Sequence, residues 1–311
     1  MSEQFFQRDV YGQALVELGA QDKNIVVLDA DLSSSTRTSL FAKKFPERFF
    51  NFGVAEQNMM ATAAGIASCG KTVFVSTFAV FASGRAWDQV RMSISYNNFN
   101  VKIVATHAGI TVGPDGASHQ ALEDIALMRV LPNMNIIVPC DGPQTAEAIT
   151  AAASNPGPFY IRLGRPKIPT IENKGKFILG QAQTISEGND ATIIACGVMV
   201  SQALLAVKSL ASKGIKARLI NMHSIRPLDS AVILKAAKET KLIVVCEEHN
   251  VIGGLASSVD EIVAENFPVK VMRIGIRNRF GQSGEPEDLL KEYQLSSLDI
   301  EKAVLSNISQ G

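Results

Sequence analysis

The chain has 311 residues, of which 46% are hydrophobic and 19% are charged. This length is typical of about two domains, and the low charged fraction argues against disorder and for much buried surface, part of it against another chain. Thirty Lys and Arg balance thirty Asp and Glu, so the formal net charge of zero argues against a general nucleic-acid binder or a protein drawn to anionic membranes.

The sequence predicts a cytoplasmic protein without a membrane span. Its longest apolar run, within 191–200, is about half of the ~20 residues that a transmembrane helix needs, and the start, MSEQFFQRD, does not resemble a secretory leader. The four cysteines lack the CxxC spacing of a zinc or redox site and have mostly apolar neighbours. We therefore expect four reduced, buried thiols, at Cys69, Cys140, Cys196 and Cys246.

From residue 25 onward, short β-rich runs alternate with longer helical stretches, as is typical of an α/β protein with a parallel sheet. Strands are predicted over 25–29, 72–77, 101–106, 136–138 and 159–163. Helices are predicted over 55–68, 81–97, 121–129 and 143–154. Residues 164–180 then break the alternation with Pro166, Pro169, Gly175 and several lysines, a composition typical of interdomain connections.

The second half repeats the alternation in a smaller α/β domain. Strands are predicted over 192–196, 217–221, 242–246 and 269–274, and helices over 201–213, 229–238 and 255–265. Two amphipathic helices, over 285–292 and 298–305, close the chain with Leu289, Leu290, Ile300 and Val304 as their apolar positions. We thus predict a first domain over 1–165, a linker over 166–180 and a second domain over 181–311.

One nucleotide-binding pattern has to be rejected on its context. The string GIASCGKT, from Gly65 to Thr72, matches the phosphate-loop pattern GxxxxGK[ST]. A phosphate loop needs a strand before it and a helix after it, so that the helix N-terminus faces the phosphate. Here the predicted helix comes first, Gly70 is its expected cap and the strand follows. Phosphates would face the wrong end of the helix dipole, so the sequence does not indicate an ATPase.

Two of the four histidines flank one Gly-rich loop. His107 and His119 lie at its ends with Asp115 between them, and the loop directly follows the strand predicted over 101–106. Open α/β sheets bind ligands at this edge, so the three side chains can converge on a polar substrate. A metal site is an alternative, although no third close ligand appears, and a purely structural Gly-rich loop is another.

Glu56 lies at the start of the otherwise apolar helix predicted over 55–68. The simple interpretation is a carboxylate favoured by the helix dipole, and the functional one is a buried carboxyl group that shares a proton with a ligand nitrogen. Phe78 and Phe81 follow the next predicted strand with i, i+3 spacing. They are either ordinary core aromatics or a wall against a flat heteroaromatic ring.

Taken together, these segments resemble transketolase, specifically the pyrimidine-binding and C-terminal domains of that thiamine diphosphate enzyme. The resemblance runs from Arg8 to the end of the chain. Its segments, in order, are ADL at 30–32, FGVAEQ at 52–57, STFAVF at 76–81, DGASHQ at 115–120, LGR at 163–165 and EEHNVIGG at 247–254. The resemblance implies a pyrimidine-binding domain with a mainly parallel sheet, followed by a smaller α/β transketolase C-terminal domain.

Transketolases hold Mg²⁺ and the cofactor diphosphate with a GDG motif in an N-terminal domain, and no GDG occurs here, the nearest string being CDG at 140–142. The resemblance therefore implies the C-terminal subunit of a split transketolase. An N-terminal partner subunit would carry the GDG motif and bind Mg²⁺, this chain would hold no metal, and the two would form an α2β2 assembly.

The resemblance also implies roles for cofactor-binding residues. Glu56 would hydrogen-bond N1′ of the aminopyrimidine and promote the imino tautomer that takes the proton from thiazolium C2. Phe78 and Phe81 would stack on the pyrimidine, and Asp31 would belong to the same cofactor site. Most transketolases have a tyrosine where this chain has Gly84.

On the substrate side, His107 and His119 would act as catalytic residues facing the substrate channel. Asp115 would hydrogen-bond the C2 hydroxyl of an aldose acceptor. The positions that match those gripping a sugar phosphate in transketolases are Arg8, Ser35, His107 and Arg165. The reaction implied is the transfer of a two-carbon ketol unit from a ketose phosphate to an aldose phosphate, in the pentose phosphate pathway or in breakdown of a less common sugar.

Three alternatives remain open at this point. The β subunit of a 2-oxoacid dehydrogenase decarboxylase component is of similar length, but it usually has an HGG-like loop in place of DGASHQ. Deoxyxylulose-phosphate synthase resembles the RFGQSG string at 279–284, but it is normally one long chain. A non-catalytic paralogue would be free to lose Glu56, His107 and His119, all of which are present.

Overall fold

The structure is a computed structural model, and it describes residues 3–172 and 174–308. Asn173, within the predicted linker, and the outermost residues of the two predicted domains, 1–2 and 309–311, lie outside the described part.

The strands of the described residues form three sheets. In chain order they are β1 (Gln4–Phe6), β2 (Ile25–Asp29), β3 (Phe49–Asn51), β4 (Thr72–Phe78), β5 (Val101–Thr106), β6 (Asn135–Ile137), β7 (Phe159–Arg162), β8 (Lys167–Pro169), β9 (Gln183–Ser186), β10 (Ala191–Ala195), β11 (Ala217–Asn221), β12 (Ser224–Arg226), β13 (Leu242–Asn250) and β14 (Lys270–Ile276).

The α-helices are α1 (Gln7–Gln21), α2 (Ser33–Thr36), α3 (Ser39–Lys44), α4 (Glu56–Ser68), α5 (Trp87–Gln89), α6 (Asp124–Arg129), α7 (Gly142–Ser154), α8 (Met199–Ser212), α9 (Ser230–Glu239), α10 (Leu255–Asn266), α11 (Pro286–Glu292) and α12 (Ser297–Ile308). Two wider π-helical segments, Phe81–Arg85 and Val90–Ser95, flank α5, and 3-10 segments cover Pro46–Arg48 and Ile110–Asp115. None of the helices in this described part is both long and apolar enough to cross a membrane.

The first sheet has seven strands in the order β12-β6-β7-β5-β4-β2-β3, and every pairing is parallel except that of β12 with β6. Every residue of β2 and β5 is buried, as expected for a sheet covered by helices on both faces. The second sheet has the order β14-β13-β10-β11-β9, with only β9 antiparallel to its neighbour. The predicted α/β fold with mainly parallel sheets is therefore confirmed.

Several predicted elements occur at the same residues in the structure. β2, β5 and β11 have the predicted bounds, and the order α4-then-β4 confirms that the phosphate-loop string is a helix end followed by a strand, with Gly70 at a φ of 81°. The apolar positions of the two closing helices are buried as predicted, namely Leu289, Leu290, Ile300 and Val304.

Other predictions need correction. Cys69 is exposed rather than buried, because it caps the C-terminal end of α4 at the surface, whereas the other three thiols are buried. The segment predicted as one helix over 81–97 contains two π-helical segments, in which Ala86 N–H donates to the Phe81 carbonyl at 3.3 Å. The predicted linker contains β8, which pairs with β1, and buries Ile171.

The two halves of the chain are joined by buried polar contacts. Arg162, at the end of β7, is 2.8 Å from the Asp124 carboxylate through Nε and donates from Nη2 to the backbone carbonyl of Glu248 at 2.9 Å. The Glu248 carboxylate accepts the Thr111 backbone N–H at 2.5 Å, and burial raises its pKa. β13 of the second sheet thus reaches the Gly-rich loop that follows β5.

Candidate functional site

The carboxyl ends of β2, β4 and β5 meet at one edge of the first sheet, because the three strands are parallel neighbours. β2 ends before Asp31, β4 ends at Phe78, and β5 ends immediately before His107. Residues that are far apart in the sequence are therefore brought to one edge, where open α/β sheets bind ligands.

Glu56 is the first residue of α4, and its carboxylate is 1% exposed. Arg85 Nη1 lies 2.9 Å from Oε1 and 3.0 Å from Oε2 of this carboxylate. The remainder of the buried face of α4 is apolar, with Met59, Met60 and Ala63 fully covered. Among the described contacts, the polar side chain that meets this carboxylate is therefore Arg85, which is itself 48% exposed.

Phe78, Phe81 and the two loop histidines form one cluster of rings. The Phe78 and His107 rings stack with their centroids 3.9 Å apart, and the Phe78 and Phe81 rings stack at 6.1 Å. His119 meets Phe81 edge-on at 5.5 Å. The Arg85 guanidinium lies over the Phe81 ring, 4.6 Å from its centroid, so the arginine that contacts Glu56 also contacts this cluster.

His107 has a left-handed backbone with a φ of 56°, a conformation that is strained for a residue with a side chain and is concentrated at functional sites. Its Nδ1 is 3.0 Å from Thr106 Oγ1. Burial, with smaller contributions from Arg8, Arg165 and His119, lowers the pKa of His107 to about 3. The imidazole is therefore neutral near pH 7 and can hydrogen-bond a ligand without carrying charge.

The rest of the Gly-rich loop is fixed from both ends. Gln120 Nε2 donates to the carbonyls of Ile110 at 3.0 Å and Gln282 at 2.9 Å, which ties the loop to the second half of the chain. A Cβ on Gly109, whose φ is 84°, would lie 2.3 Å from the Glu248 carboxyl carbon. A glycine is required there because Glu248 is buried against the loop backbone.

Of the two arginines predicted to grip a phosphate, Arg165 contacts this loop and Arg8 lies near the start of α1. Arg165 donates to the Val112 carbonyl and is 3.8 Å from the Asp115 carboxylate. Arg8, near the start of α1, has a buried Nε without a hydrogen-bond partner. Burial lowers the pKa of Arg8, followed by repulsion from Arg37 and, to a smaller extent, from Arg165, so several cations share this region.

Asp31 and Ser35 follow β2. The Asp31 backbone N–H donates to Asn51 Oδ1, and Asn51 Nδ2 donates to Asp31 Oδ1, both at 3.0 Å. Asp31 has a left-handed φ of 64°, and its residue is exposed. Ser35 lies half-buried within the short helix α2. The structure shows no direct contact of either residue with the ring cluster, so their predicted roles stay predictions.

Sequence reasoning missed two residues of the site. The first is Arg85, next to Gly84. Its contact with Glu56 spans 29 residues and depends on a π-helical segment, so no local pattern in the sequence indicates it. Glu248 entered only as part of a family motif, and its contact with Thr111 spans 137 residues. In the described part of the chain, no three His, Cys, Asp or Glu side chains lie close enough together to hold a metal ion. His107, Asp115 and His119 therefore do not form a metal site there.

Comparison with known proteins identifies the class. Residues 4–170 match the pyrimidine binding domain of transketolase, and residues 180–300 match the transketolase C-terminal domain. The chain therefore belongs to the transketolase family and carries these two of its domains, which confirms the resemblance drawn from the sequence.

Three relatives show which members of the family this chain is similar to. It is 48% identical over 307 residues to a putative transketolase C-terminal section of Methanocaldococcus jannaschii, covering 97% of this chain and 96% of that one. It is 39% identical to a 6-deoxy-6-sulfo-D-fructose transketolase subunit of Clostridium sp., covering 97% and 94%. A solved split-gene transketolase, described as an inactive tetramer of four beta subunits, is 50% identical with a TM-score of 0.91. The match covers 97% of this chain and 98% of that one.

Proposed function

We propose that this chain is the C-terminal subunit of a thiamine diphosphate-dependent transketolase and that it is active only with an N-terminal partner subunit. The reaction is the transfer of a two-carbon ketol unit from a ketose phosphate to an aldose phosphate. The observation that supports this most directly is the buried Glu56 carboxylate beside the Phe78 and Phe81 rings, at the ligand-binding edge of a transketolase-type sheet.

The residues of this site fit an aminopyrimidine ring. An aminopyrimidine is flat and apolar on its faces and needs one carboxyl partner at a ring nitrogen, and the site offers aromatic side chains and the buried Glu56 carboxylate. We assign Mg²⁺ and the cofactor diphosphate to the partner subunit, because the GDG motif does not occur in this sequence. When bound, thiamine diphosphate supplies the electron sink for carbon–carbon bond cleavage and formation.

The chain's own residues would hold and orient the reactants. Glu56 would share a proton with the ring nitrogen, and the neutral His107 would hydrogen-bond the substrate together with His119. Asp115 would accept a hydrogen bond from a sugar hydroxyl, and its carboxylate is a third exposed. Asp31 would support the cofactor from the adjacent strand end.

Binding of the substrate phosphate is assigned to Arg8 and Arg165, with Ser35 and His107. A guanidinium donates parallel hydrogen bonds that match a phosphate, and the free Nε of Arg8 is a donor without a partner. The name of the Clostridium relative specifies a sulfo sugar, and that of a relative from Phocaeicola vulgatus specifies a sugar phosphate. We place this chain with phosphorylated sugars, in the pentose phosphate pathway or a related one.

Partner contact is supported by apolar side chains beside the site. Phe50, in β3, is 47% exposed, and Val54, between β3 and Glu56, is 72% exposed. Large apolar side chains exposed next to a functional site are typical of a surface that another chain covers. The solved relative is described as a tetramer of four beta subunits. Together with the exposed apolar side chains, this supports self-association of the chain and an α2β2 assembly with the N-terminal subunit.

The proposal is tested with the chain mixed with an N-terminal subunit that bears the GDG motif. Ketol transfer should require both chains, and Glu56→Gln should lower turnover by ~10² to 10⁴, the usual range for positioned proton transfer. Exchange of the thiazolium C2 proton, followed by NMR in deuterium oxide, should slow by a similar factor.

The matched control is Glu47→Gln, which removes a carboxylate that is 67% exposed and pairs only with neighbouring Arg48 among the contacts described. It should leave turnover within twofold or so of wild type, as is usual for exposed pairs. Ketol transfer by the purified chain alone, or a Glu56→Gln variant with nearly full activity and exchange, would contradict the proposed function.

A further inference from the structure

The buried Glu56 carboxylate has an exposed side-chain partner, Arg85. A single guanidinium nitrogen, Nη1, contacts both carboxylate oxygens, at 2.9 and 3.0 Å. The two partners differ greatly in exposure, since the Arg85 side chain is 48% exposed and the Glu56 side chain is 1% exposed. The carboxylate is therefore the fixed partner of this ion pair, and the arginine is the one with room to move.

The backbone around Arg85 explains how it reaches Glu56. Arg85 ends the π-helical segment Phe81–Arg85, and such wide turns are frequent at functional sites. Its carbonyl accepts a hydrogen bond from Gln57 Nε2 at 3.1 Å, so α4 holds the backbone of Arg85 in place. Only the side chain is free to swing, and the position beside it is open, because a Cβ on Gly84 would meet nothing within 4 Å.

This ion pair conflicts with the task assigned to Glu56. A ring nitrogen that hydrogen-bonds Glu56 needs one of the two carboxylate oxygens, and Arg85 Nη1 already contacts both. The two partners of Glu56 are thus mutually exclusive at this carboxylate.

We propose that Arg85 is a positioning residue that covers the Glu56 carboxylate and must swing away before an aminopyrimidine nitrogen can hydrogen-bond it. The proposal rests on the proposed function and adds a competing partner to the residue at its centre. In the closed state Arg85 neutralises a buried charge that would otherwise be costly. On binding, its guanidinium keeps the Phe81 face, 4.6 Å away, as an alternative contact.

The test uses the isolated full chain and free thiamine, which carries the aminopyrimidine but no diphosphate and so does not depend on the partner subunit. Binding is followed by the fluorescence of Trp87, the one tryptophan of the sequence, which lies two residues after Arg85. The variants are Arg85→Gln, Arg85→Lys and the double variant Arg85→Gln/Glu56→Gln. The control Arg91→Gln removes an exposed arginine from the next helical segment, whose described contact is with Met92.

We expect Arg85→Gln to bind thiamine about ten- to a hundredfold more tightly than wild type, the factor that corresponds to one charge-assisted contact no longer broken. Arg85→Lys, whose side chain is shorter and places its cation less well against Glu56, should give an intermediate affinity, and Arg91→Gln none of the gain. The double variant should lose the gain, because the carboxyl group that the ring nitrogen needs is gone.

Thiamine binding to Arg85→Gln that is equal to wild type, weaker or undetectable overturns the proposal. If Arg85→Gln fails to fold, Arg85→Lys decides, since it keeps a positive charge beside Glu56, and an affinity no higher than wild type overturns the proposal equally. The proposed function fails by a different result, namely a wild-type chain that stays inactive with its N-terminal subunit. A wild-type complex that is active while Arg85→Gln shows no gain refutes only the role of Arg85.

Discussion

Arg162 joins the two halves of the chain, and its replacement by methionine is the sharpest test of how they are held together. Arg162 and Asp124 are 5% and 0% exposed. Besides Asp124, the guanidinium donates to the carbonyls of Ala121 at 3.2 Å and Glu248 at 2.9 Å. In Arg162→Met the Asp124 carboxylate keeps only the Tyr160 hydroxyl, at 2.7 Å, as a side-chain partner.

The expected loss of stability follows from these contacts. Removing one partner of a buried ion pair costs about 3–5 kcal/mol, because the other charge stays buried without compensation. The two carbonyls that lose a donor add to this, so we expect Arg162→Met to lower the free energy of unfolding by about 4 kcal/mol or more. Asp124→Asn in the same chain removes the stranded charge and should restore about 2 kcal/mol of that loss.

The assay is urea denaturation followed by the fluorescence of Trp87, whose Nε1 donates to the Leu127 carbonyl on α6, the helix that begins at Asp124. Arg129→Met is the matched control, because Arg129 also links the two halves but pairs with Glu261, which is 58% exposed. It should cost about 1 kcal/mol. If Arg162→Met costs no more than this control, or if Asp124→Asn brings no relief, the buried pair does not couple the halves as described.

Three further predictions concern other parts of the chain. Burial lowers the pKa of His223 to about 4 from an ordinary value of 6.5. As the pH falls, the imidazole is therefore protonated in the unfolded chain before it is protonated in the folded one. The stability that the neutral ring confers is present above pH 6.5 and is lost as the pH falls toward 4. His223→Leu should therefore flatten the acid side of the stability–pH curve by ~3 kcal/mol, measured by denaturation between pH 4 and pH 7, and an unchanged curve would contradict this. Arg8→Ala and Arg165→Ala should each raise KM for phosphorylated sugars about ten- to a hundredfold in the two-subunit enzyme, and equal losses on unphosphorylated sugars would show that the arginines are structural. A thiol reagent should modify Cys69 rapidly in the folded chain and the three buried cysteines only in urea, and fast reaction of more than one thiol would contradict the described burial.

The sequence predicted best where a local pattern decides the structure. β2 and β5 are short runs rich in Val and Ile, with Lys102 as the one charged residue inside β5, and their bounds agree with the structure. α1 was missed because the side that it buries carries Gln7, Tyr11 and Gly12 rather than a regular apolar stripe. Buried polar residues of this kind are fixed by long-range hydrogen bonds, such as that of Gln7 with the Pro139 carbonyl at 2.8 Å.

The site shows the same division between local and long-range information. Three site residues could be predicted from local patterns. Glu56 begins a helix, Phe78 ends a strand and His107 directly follows one. Their mutual arrangement could not, since the ring stacking of Phe78 on His107 depends on the pairing of β4 with β5. Arg85 lay beyond sequence reasoning altogether, because no local pattern distinguishes a π-helical segment from an ordinary helix.

The strand β12 has a consequence for how this protein can be divided. Although Ser224–Arg226 lies within the predicted second domain, it forms the outer strand of the first sheet by pairing with β6. A gene cut between the two halves would leave β6 as an open edge, and unpaired backbone groups at an exposed edge recruit strands of other molecules. Expressed alone, residues 1–180 are thus expected to aggregate, so the first sheet is complete only when the second half of the chain is present.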